Sequence, residues 1–322
     1  MTRGFLLGKF LPPHLGHLHL CDFAQAYSDE VTVLVCSIAR EPIPGRLRHE
    51  WMRELCPKAR VLHCDWEVPQ EPAEHPEFWP IWRNLIRHFH PELIDHVFAS
   101  ETYGHRLAEE LGARFVPVDP PRLGVPVSGT AIRRDPAAVW RYLPAPVRPH
   151  FLRRVVLFGP ESSGKTTLAA ALGEALETVV VPEYGRTFTD AFGTDVPAEG
   201  LLAIARGHLA SRAALSRQSN WVLVEDTDPV LTAVWSDMLT GRRDPWFDAF
   251  DDLADLYLLT APDFGWVDDG TRYFPDQAQR DRFFALCRAE LERRGARHVV
   301  LTGPHDRRLE DALATIRRLA DR

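Results

Sequence analysis

The octet Gly159-Pro160-Glu161-Ser162-Ser163-Gly164-Lys165-Thr166 constrains this chain more than any other feature. It follows an apolar run, Val155–Phe158, and leads into a helix-forming stretch, Thr167–Leu176. The spacing Gly-x4-Gly-Lys-Thr in a strand-loop-helix context is the Walker A pattern, which requires a sheet with its phosphate loop at a strand's carboxyl end. The glycines let the backbone wrap phosphates, whose charge meets the amides at a helix N-terminus. Lys165 would reach the β- and γ-phosphates of ATP, and the Thr166 hydroxyl would ligate Mg²⁺. Gly159, Ser162, Ser163, Gly164, Lys165, Thr166 and Thr167 are therefore the candidate nucleotide contacts of this half.

The rest of the pattern agrees with an α/β chain. Short apolar runs at Gly4–Leu7, Val31–Ser37, Arg60–Cys64, His96–Ala99 and Arg114–Val118 alternate with helical stretches such as His17–Tyr27 and Trp79–His88. A second series follows at Arg154–Phe158, Thr178–Val181, Trp221–Val224, Leu256–Leu259 and His298–Leu301, with Leu201–Arg217 as a helix. Continuous apolar strands separated by helices imply parallel sheets covered on both faces. Pro144, Pro146 and Pro149 interrupt the chain between the two series and form a stiff connector. With 322 residues available, two domains are expected, 1–148 and 149–322.

A P-loop alone does not separate a kinase from a motor. Three further segments bear on the choice. Trp221–Val224 runs into Glu225-Asp226-Thr227-Asp228, which reads as a Walker B strand with Asp226 as the Mg²⁺ partner; a solvated acidic strand end is the bland alternative. Thr178–Val181 ends in Pro182-Glu183-Tyr184-Gly185-Arg186, where an acceptor hydroxyl would lie in an open α/β sheet. Glu183 would take that proton or hold a ribose, against the alternative of an ordinary surface carboxylate. Arg272, following Asp268, and Arg280 suit a lid over a transferring phosphoryl group, or else are helix-surface arginines. The absence of a large additional domain favours a small-molecule kinase.

In the first half, Gly8-Lys9-Phe10-Leu11-Pro12-Pro13-His14-Leu15-Gly16-His17 joins the first strand to a helix. A His-x-Gly-His turn there places His14 and His17 beside helix amides, with Gly8 and Phe10 shaping the loop. Such a group suits adenylyl transfer, in which charge grows on the α-phosphate and on the departing pyrophosphate. Far along the chain, Ser128-Gly129-Thr130-Ala131-Ile132-Arg133 makes a helix start whose Ser128, Thr130 and Arg133 can clasp phosphates. Trp79 and Trp82 offer indoles on which a pyridinium ring would stack, with core packing as the alternative.

Composition narrows the remaining classes. A net charge of -7 argues against coating nucleic acid. No apolar run reaches the roughly 18 residues of a membrane span, and the short apolar start lacks a signal-peptide cleavage site. The 5 cysteines have no metal or disulfide spacing and read as buried free thiols in a reducing cytoplasm.

Taken together and in this order, the histidine turn, the Ser128–Arg133 element, the connector from Trp140 to Arg148, the P-loop and Glu183-Tyr184-x-Arg186 resemble the bifunctional nicotinamide-nucleotide adenylyltransferase/ribosylnicotinamide kinase family over nearly the whole chain. The resemblance implies a Rossmann-like nucleotidyltransferase domain followed by a P-loop kinase domain. The second would make nicotinamide mononucleotide from nicotinamide riboside and ATP. The first would join it to AMP from another ATP, giving NAD and pyrophosphate. It implies phosphate-handling roles for His14, His17 and Arg133, kinase roles for Lys165, Thr166 and Asp226, and riboside contacts at Glu183, Tyr184 and Arg186. Its implied partners are these small molecules, with a homo-oligomer allowed. Some members carry an N-terminal helix-turn-helix and act as repressors; here the first strand begins within a few residues of Met1, so DNA binding is not expected. Two rivals stay open: an adenylyltransferase/kinase fusion of coenzyme A synthesis, and a regulator that senses nucleotides without turnover.

Overall fold

The computed structural model describes residues 1–263 and 273–320. The chain divides into two compact units, Met1–Val147 and Arg148–Arg322. Within the first, elements alternate as β1 (Arg3–Gly8), α1 (Leu15–Tyr27), β2 (Glu30–Cys36), α2 (Gly45–Leu55), β3 (Arg60–Cys64), α3 (Phe78–Phe89), β4 (His96–Ala99), α4 (Tyr103–Leu111), β5 (Arg114–Pro117) and α5 (Gly129–Arg134). The strands are all parallel in the order β3-β2-β1-β4-β5. The order reverses at β1, so the loop that leaves β1 opens at the point where an α/β sheet binds ligands.

Strand periodicity explains how this sheet is covered. In β2, Val31, Val33 and Val35 point to one face and pack with Leu20, Cys21 and Ala24 of α1 and Met52 of α2. Leu34 and Cys36 point to the other, against Trp82, Leu85 and Ile86 of α3 and Leu107, Ala108 and Leu111 of α4. Each fully buried Val or Leu here contributes about 2 kcal/mol relative to exposure.

The second unit runs α6 (Arg148–Phe151), β6 (Arg153–Phe158), α7 (Lys165–Ala175), β7 (Val180–Val181), α8 (Tyr184–Phe192), α9 (Ala198–Ser216), β8 (Val222–Asp226), α10 (Pro229–Thr240), α11 (Pro245–Ala249), β9 (Leu256–Thr260), α12 (Gln277–Arg293), β10 (His298–Leu301) and α13 (His305–Ala320). Its sheet is also parallel, in the order β10-β9-β6-β8-β7, with β6 central. Val155 and Leu157 face α7 and α13, while Val156 and Phe158 face α10 and α12. Two strand ends differ from the sequence reading. Thr178 is spent on closing α7, its amide donating to the Gly173 carbonyl. Only Val180 and Val181 are therefore left for the ladder. At β8 the strand starts at Val222, just after Trp221, whose carbonyl accepts from the Arg153 amide at 3.0 Å, and carries on through Asp226, which sits in register with Leu157.

All five cysteines are buried and free. Among the described residues no helix is long and apolar enough to cross a membrane.

Candidate nucleotide sites

In the first unit, β1 delivers the chain at Gly8 into a tight loop in which Phe10 is buried with φ 47°. His14 then caps α1 in an extended conformation, and His17 follows one turn later. Their rings stack at 3.7 Å between centroids, and Phe10 meets His17 edge-on at 4.9 Å. Among the described residues, neither Nδ1 has a hydrogen-bond partner. Burial, with Arg122 nearby, lowers the His14 imidazole to about 4. Burial, then His14 and Arg122, lowers His17 well below its usual value. Both rings are thus neutral near pH 7. They present N–H donors without having to shed a proton, at a helix N-terminus.

The Ser128–Arg133 element arrives at this loop from across the sheet. The Ser128 hydroxyl accepts from the Ala131 amide and caps α5, so it orders the helix start before it can meet any ligand. A Cβ on Gly129 would lie 2.5 Å from the Leu11 carbonyl oxygen, so this approach needs glycine. Arg133, which is exposed, donates through Nη1 to that same carbonyl and through Nη2 to Thr130 Oγ1 at 3.2 Å.

Other contributors were not legible in the sequence. Arg122, with φ 54°, donates to the Val127 carbonyl and Glu101 while it biases both histidines. Beneath the loop, Arg48 is fully buried and donates to the Lys9 carbonyl and to Glu41, each at 2.5 Å. Lys9 Nζ lies 3.2 Å from the other Glu41 oxygen. Burial would raise the Glu41 carboxyl, but Arg48, the Ile38 amide and Lys9 together hold it below its ordinary value.

Trp82 is a correction to the stacking expectation. It is a core side chain, only 8% exposed, with its indole N–H donated to the Pro69 carbonyl at 2.9 Å. The amphipathic spacing of α3 that brings Phe78, Leu85 and Ile86 inward brings Trp82 with them. Trp79 is half-buried against the same core, edge-on to Phe78.

In the second unit, Gly159 has φ 137°, and a Cβ there would lie 2.7 Å from the Thr260 carbonyl oxygen. Ser162 (φ 58°) and Gly164 (φ 82°) complete the wrap. Ser163 is fully buried, its hydroxyl bonded to the Pro160 carbonyl and Thr260 Oγ1, each at 2.7 Å. From α13, buried Arg308 braces the same loop by donating to the Ser163 carbonyl at 2.9 Å. Lys165 Nζ donates to the Gly159 and Pro160 carbonyls at 3.0 and 2.8 Å. Thr166 and Thr167 open α7 with their side chains exposed toward a cleft of about 490 Å³.

That cleft gathers Glu183, Gly185, Arg186 and Thr189 from the start of α8 opposite the P-loop. Glu183 lies 3.9 Å from Arg186. Val196, Leu201 and Ile204 add an apolar wall, and Trp235 and Tyr273 an aromatic one, their rings perpendicular-tilted at 5.7 Å. Neither aromatic has a local sequence signal. Asp226 is buried at the end of β8, and among the described residues its Oδ1 has no hydrogen-bond partner. Its neighbour Glu225 is fully buried and takes hydrogen bonds from Arg154 (2.7 Å) and His208 (2.8 Å). Asp228 caps α10, and the Tyr257 hydroxyl donates to it at 2.8 Å.

Two expectations need correction here. Tyr184 does not line this cleft. Helical geometry puts Gly185, Arg186 and Thr189 on the cleft side and turns Tyr184 away, its ring laid on Gly207 of α9 beside a separate groove with Glu199, Arg206 and Asp244. Arg280 is not in a loop. It lies buried in the first turn of α12, with Nη2 donating to Gln277. Asp268 and Arg272 lie outside the described residues.

Residues 154–308 match the family model described as AAA domain. The chain is 31% identical over 317 residues to the trifunctional NAD biosynthesis/regulator protein NadR of Escherichia coli (strain K12), covering 90% of this chain and 76% of that protein. Its counterpart in Salmonella typhimurium is 31% identical over 304 residues, covering 87% and 74%. Among solved structures, NadR protein in complex with NR superposes with TM-score 0.80 at 20% identity, covering 100% of this chain and 96% of the other. NadR protein in complex with NAD and AMP-PNP gives TM-score 0.79 at 21% identity over the same shares. A histidine-turn sheet and a P-loop sheet in one chain define a two-domain nucleotide-dependent transferase. Within that class the chain belongs to the NadR family of NAD biosynthesis proteins.

Proposed function

We propose that the chain makes NAD in two steps, each in its own domain, 149–322 acting as ribosylnicotinamide kinase and 1–148 as nicotinamide-mononucleotide adenylyltransferase. The observation that carries the kinase reading is the single cleft joining P-loop, carboxylate and aromatic wall. The 5′-hydroxyl of nicotinamide riboside attacks the γ-phosphorus of ATP, Glu183 takes its proton and ADP leaves. Lys165 transfers from its two loop carbonyls to the phosphates, and Arg186 and Thr189 hold the ribose side. Trp235 and Tyr273 face the pyridinium ring, whose charge favours an aromatic surface.

Mg²⁺ fits this site: Thr166 offers a hydroxyl at the helix start and Asp226 a buried carboxylate oxygen without a hydrogen-bond partner among the described residues. Thr166 and Asp226 would hold the ion, which would supply charge neutralisation to the transferring phosphates. A phosphate-borne Mg²⁺ does not need a protein cage, and among the described residues no cluster of three or more His, Cys, Asp or Glu forms one.

In the first domain, the mononucleotide phosphate attacks the α-phosphorus of a second ATP, forming one P–O bond as the bond to pyrophosphate breaks. His14 and His17 donate as neutral imidazoles to the oxygens on which charge grows. Arg133 leaves the Leu11 carbonyl for the departing pyrophosphate. No residue forms a covalent intermediate, and rate comes from positioning and charge stabilisation. Five buried free thiols support a reducing compartment, and the cytoplasm is the proposed location.

The test is a product time course with Mg-ATP and nicotinamide riboside, followed by mass spectrometry. Mononucleotide appearing before NAD is the expected result. Turnover of pantetheine phosphate or dephospho-coenzyme A instead would overturn the substrate assignment.

A further inference from the structure

The Walker A pattern leaves residue 161 free, yet the Glu161 side chain is only 8% exposed. Its carboxylate accepts three contacts from two consecutive amides. Tyr273 N–H lies 3.0 and 2.9 Å from its two oxygens, and Phe274 N–H 2.5 Å from the first. A carboxylate that bridges adjacent amides fixes the backbone in two directions, and charge-assisted bonds of this kind are about twice as strong as neutral ones. The Tyr273 side chain is then pinned at its far end, its hydroxyl donating to the Thr194 carbonyl at 2.6 Å in the segment between α8 and α9. Between those anchors the ring stands at 62° to Trp235, and Phe274 stacks on the same indole at 5.8 Å. Glu161, Trp235 and Tyr273 all line the one cleft.

We infer that Glu161 is a positioning residue for the acceptor: through the Tyr273 and Phe274 amides it sets the aromatic wall that receives the riboside's base. The P-loop thereby fixes the shape of the half of the cleft it does not touch. This rests on the reading of Trp235 and Tyr273 as the acceptor wall, and it concerns recognition of the riboside rather than of ATP. An amide in place of the carboxylate keeps the size of the side chain. It offers only one acceptor oxygen and sets an N–H₂ group against a backbone N–H.

The test is a double-mutant cycle on the full chain, with Glu161→Gln, Tyr273→Ala and the double variant, reading KM for nicotinamide riboside, KM for ATP and kcat of the kinase step. The expected result is a rise of about tenfold in riboside KM for Glu161→Gln, the loss of one charge-assisted bond, with ATP KM little changed. In the Tyr273→Ala background the same substitution should add almost nothing. Glu161→Asp, too short to reach both amides, should fall between wild type and Gln. A structural role in the P-loop would instead raise ATP KM. That result, or additivity of the two substitutions, overturns the clasp. If Tyr273→Ala and Trp235→Ala both leave riboside KM unchanged, the acceptor-wall assignment itself fails.

Discussion

Replacing His14 by Gln should remove much of the first unit's sensitivity to mild acid. His14 is 6% exposed, stacked on the half-buried His17 imidazole and lowered to about 4 by burial and by Arg122. In the unfolded chain it titrates near 6.5. Because the folded value lies below the unfolded one, the unfolded state binds more protons between these pH values. Stability is therefore intact above pH 6.5 and is lost as pH falls toward 4. For this one group the loss relative to pH 7.5 is about 2 kcal/mol at pH 5 and about 3 kcal/mol at pH 4. His17 shifts in the same direction and adds to it. Urea titrations at pH 7.5 and pH 5, read by pulse proteolysis with fragments assigned to each unit, measure the quantity directly. Wild type should lose about 2 kcal/mol more than His14→Gln between the two pH values. Equal losses would refute the claim that the fold holds His14 neutral. If the pair stays neutral with ATP bound, as this role requires, calorimetry of ATP binding at pH 7.5 in buffers of different ionisation enthalpy should register no proton uptake by it.

Lys165→Met should lower kcat of the kinase step at least about 100-fold while NAD formation from added mononucleotide continues; loss of both activities would contradict independent sites. Gly159→Ala forces a side chain against the Thr260 carbonyl at a φ that only glycine tolerates, so nucleotide protection of the second unit in thermal melts should vanish. Arg48→Met leaves the Glu41 carboxylate with the Ile38 amide and the half-exposed Lys9, and should destabilise the first unit by about 3 kcal/mol in urea. Tyr184→Phe, facing away from the cleft, should leave riboside KM unchanged; a large rise would mean that α8 turns over when substrate binds.

What could be read from the sequence was what is local. Both phosphate loops, the strand alternation and the capping Ser128 are set by spacing over ten residues or fewer, and periodicity carried them. Sites assembled by distant chain crossings were not legible: Arg122 reaching His14 and His17, Arg308 bracing Ser163, and Glu161 holding Tyr273 across 112 positions. Tyr184 and Trp82 show a different limit. Both sit in segments of the right kind, but which way a helical side chain points depends on the partner helix. For Tyr184 the deciding partner is Gly207; for Trp82 it is the core that α3 shares with α4.

That tyrosine–glycine contact also has a mechanical consequence. The ring fills the space where any other residue at position 207 would carry its Cβ, which would fall 2.1 Å from a ring carbon. Knob and socket of this tightness prevent sliding, since dense packing offers discrete arrangements rather than a continuum. Helices α8 and α9 are thus keyed into one plate, bearing Glu183, Arg186 and Thr189 on one member and Leu201 and Ile204 on the other. A backbone shift at any of these five would therefore be carried to the others, and a bulkier residue at 207 would uncouple the two helices.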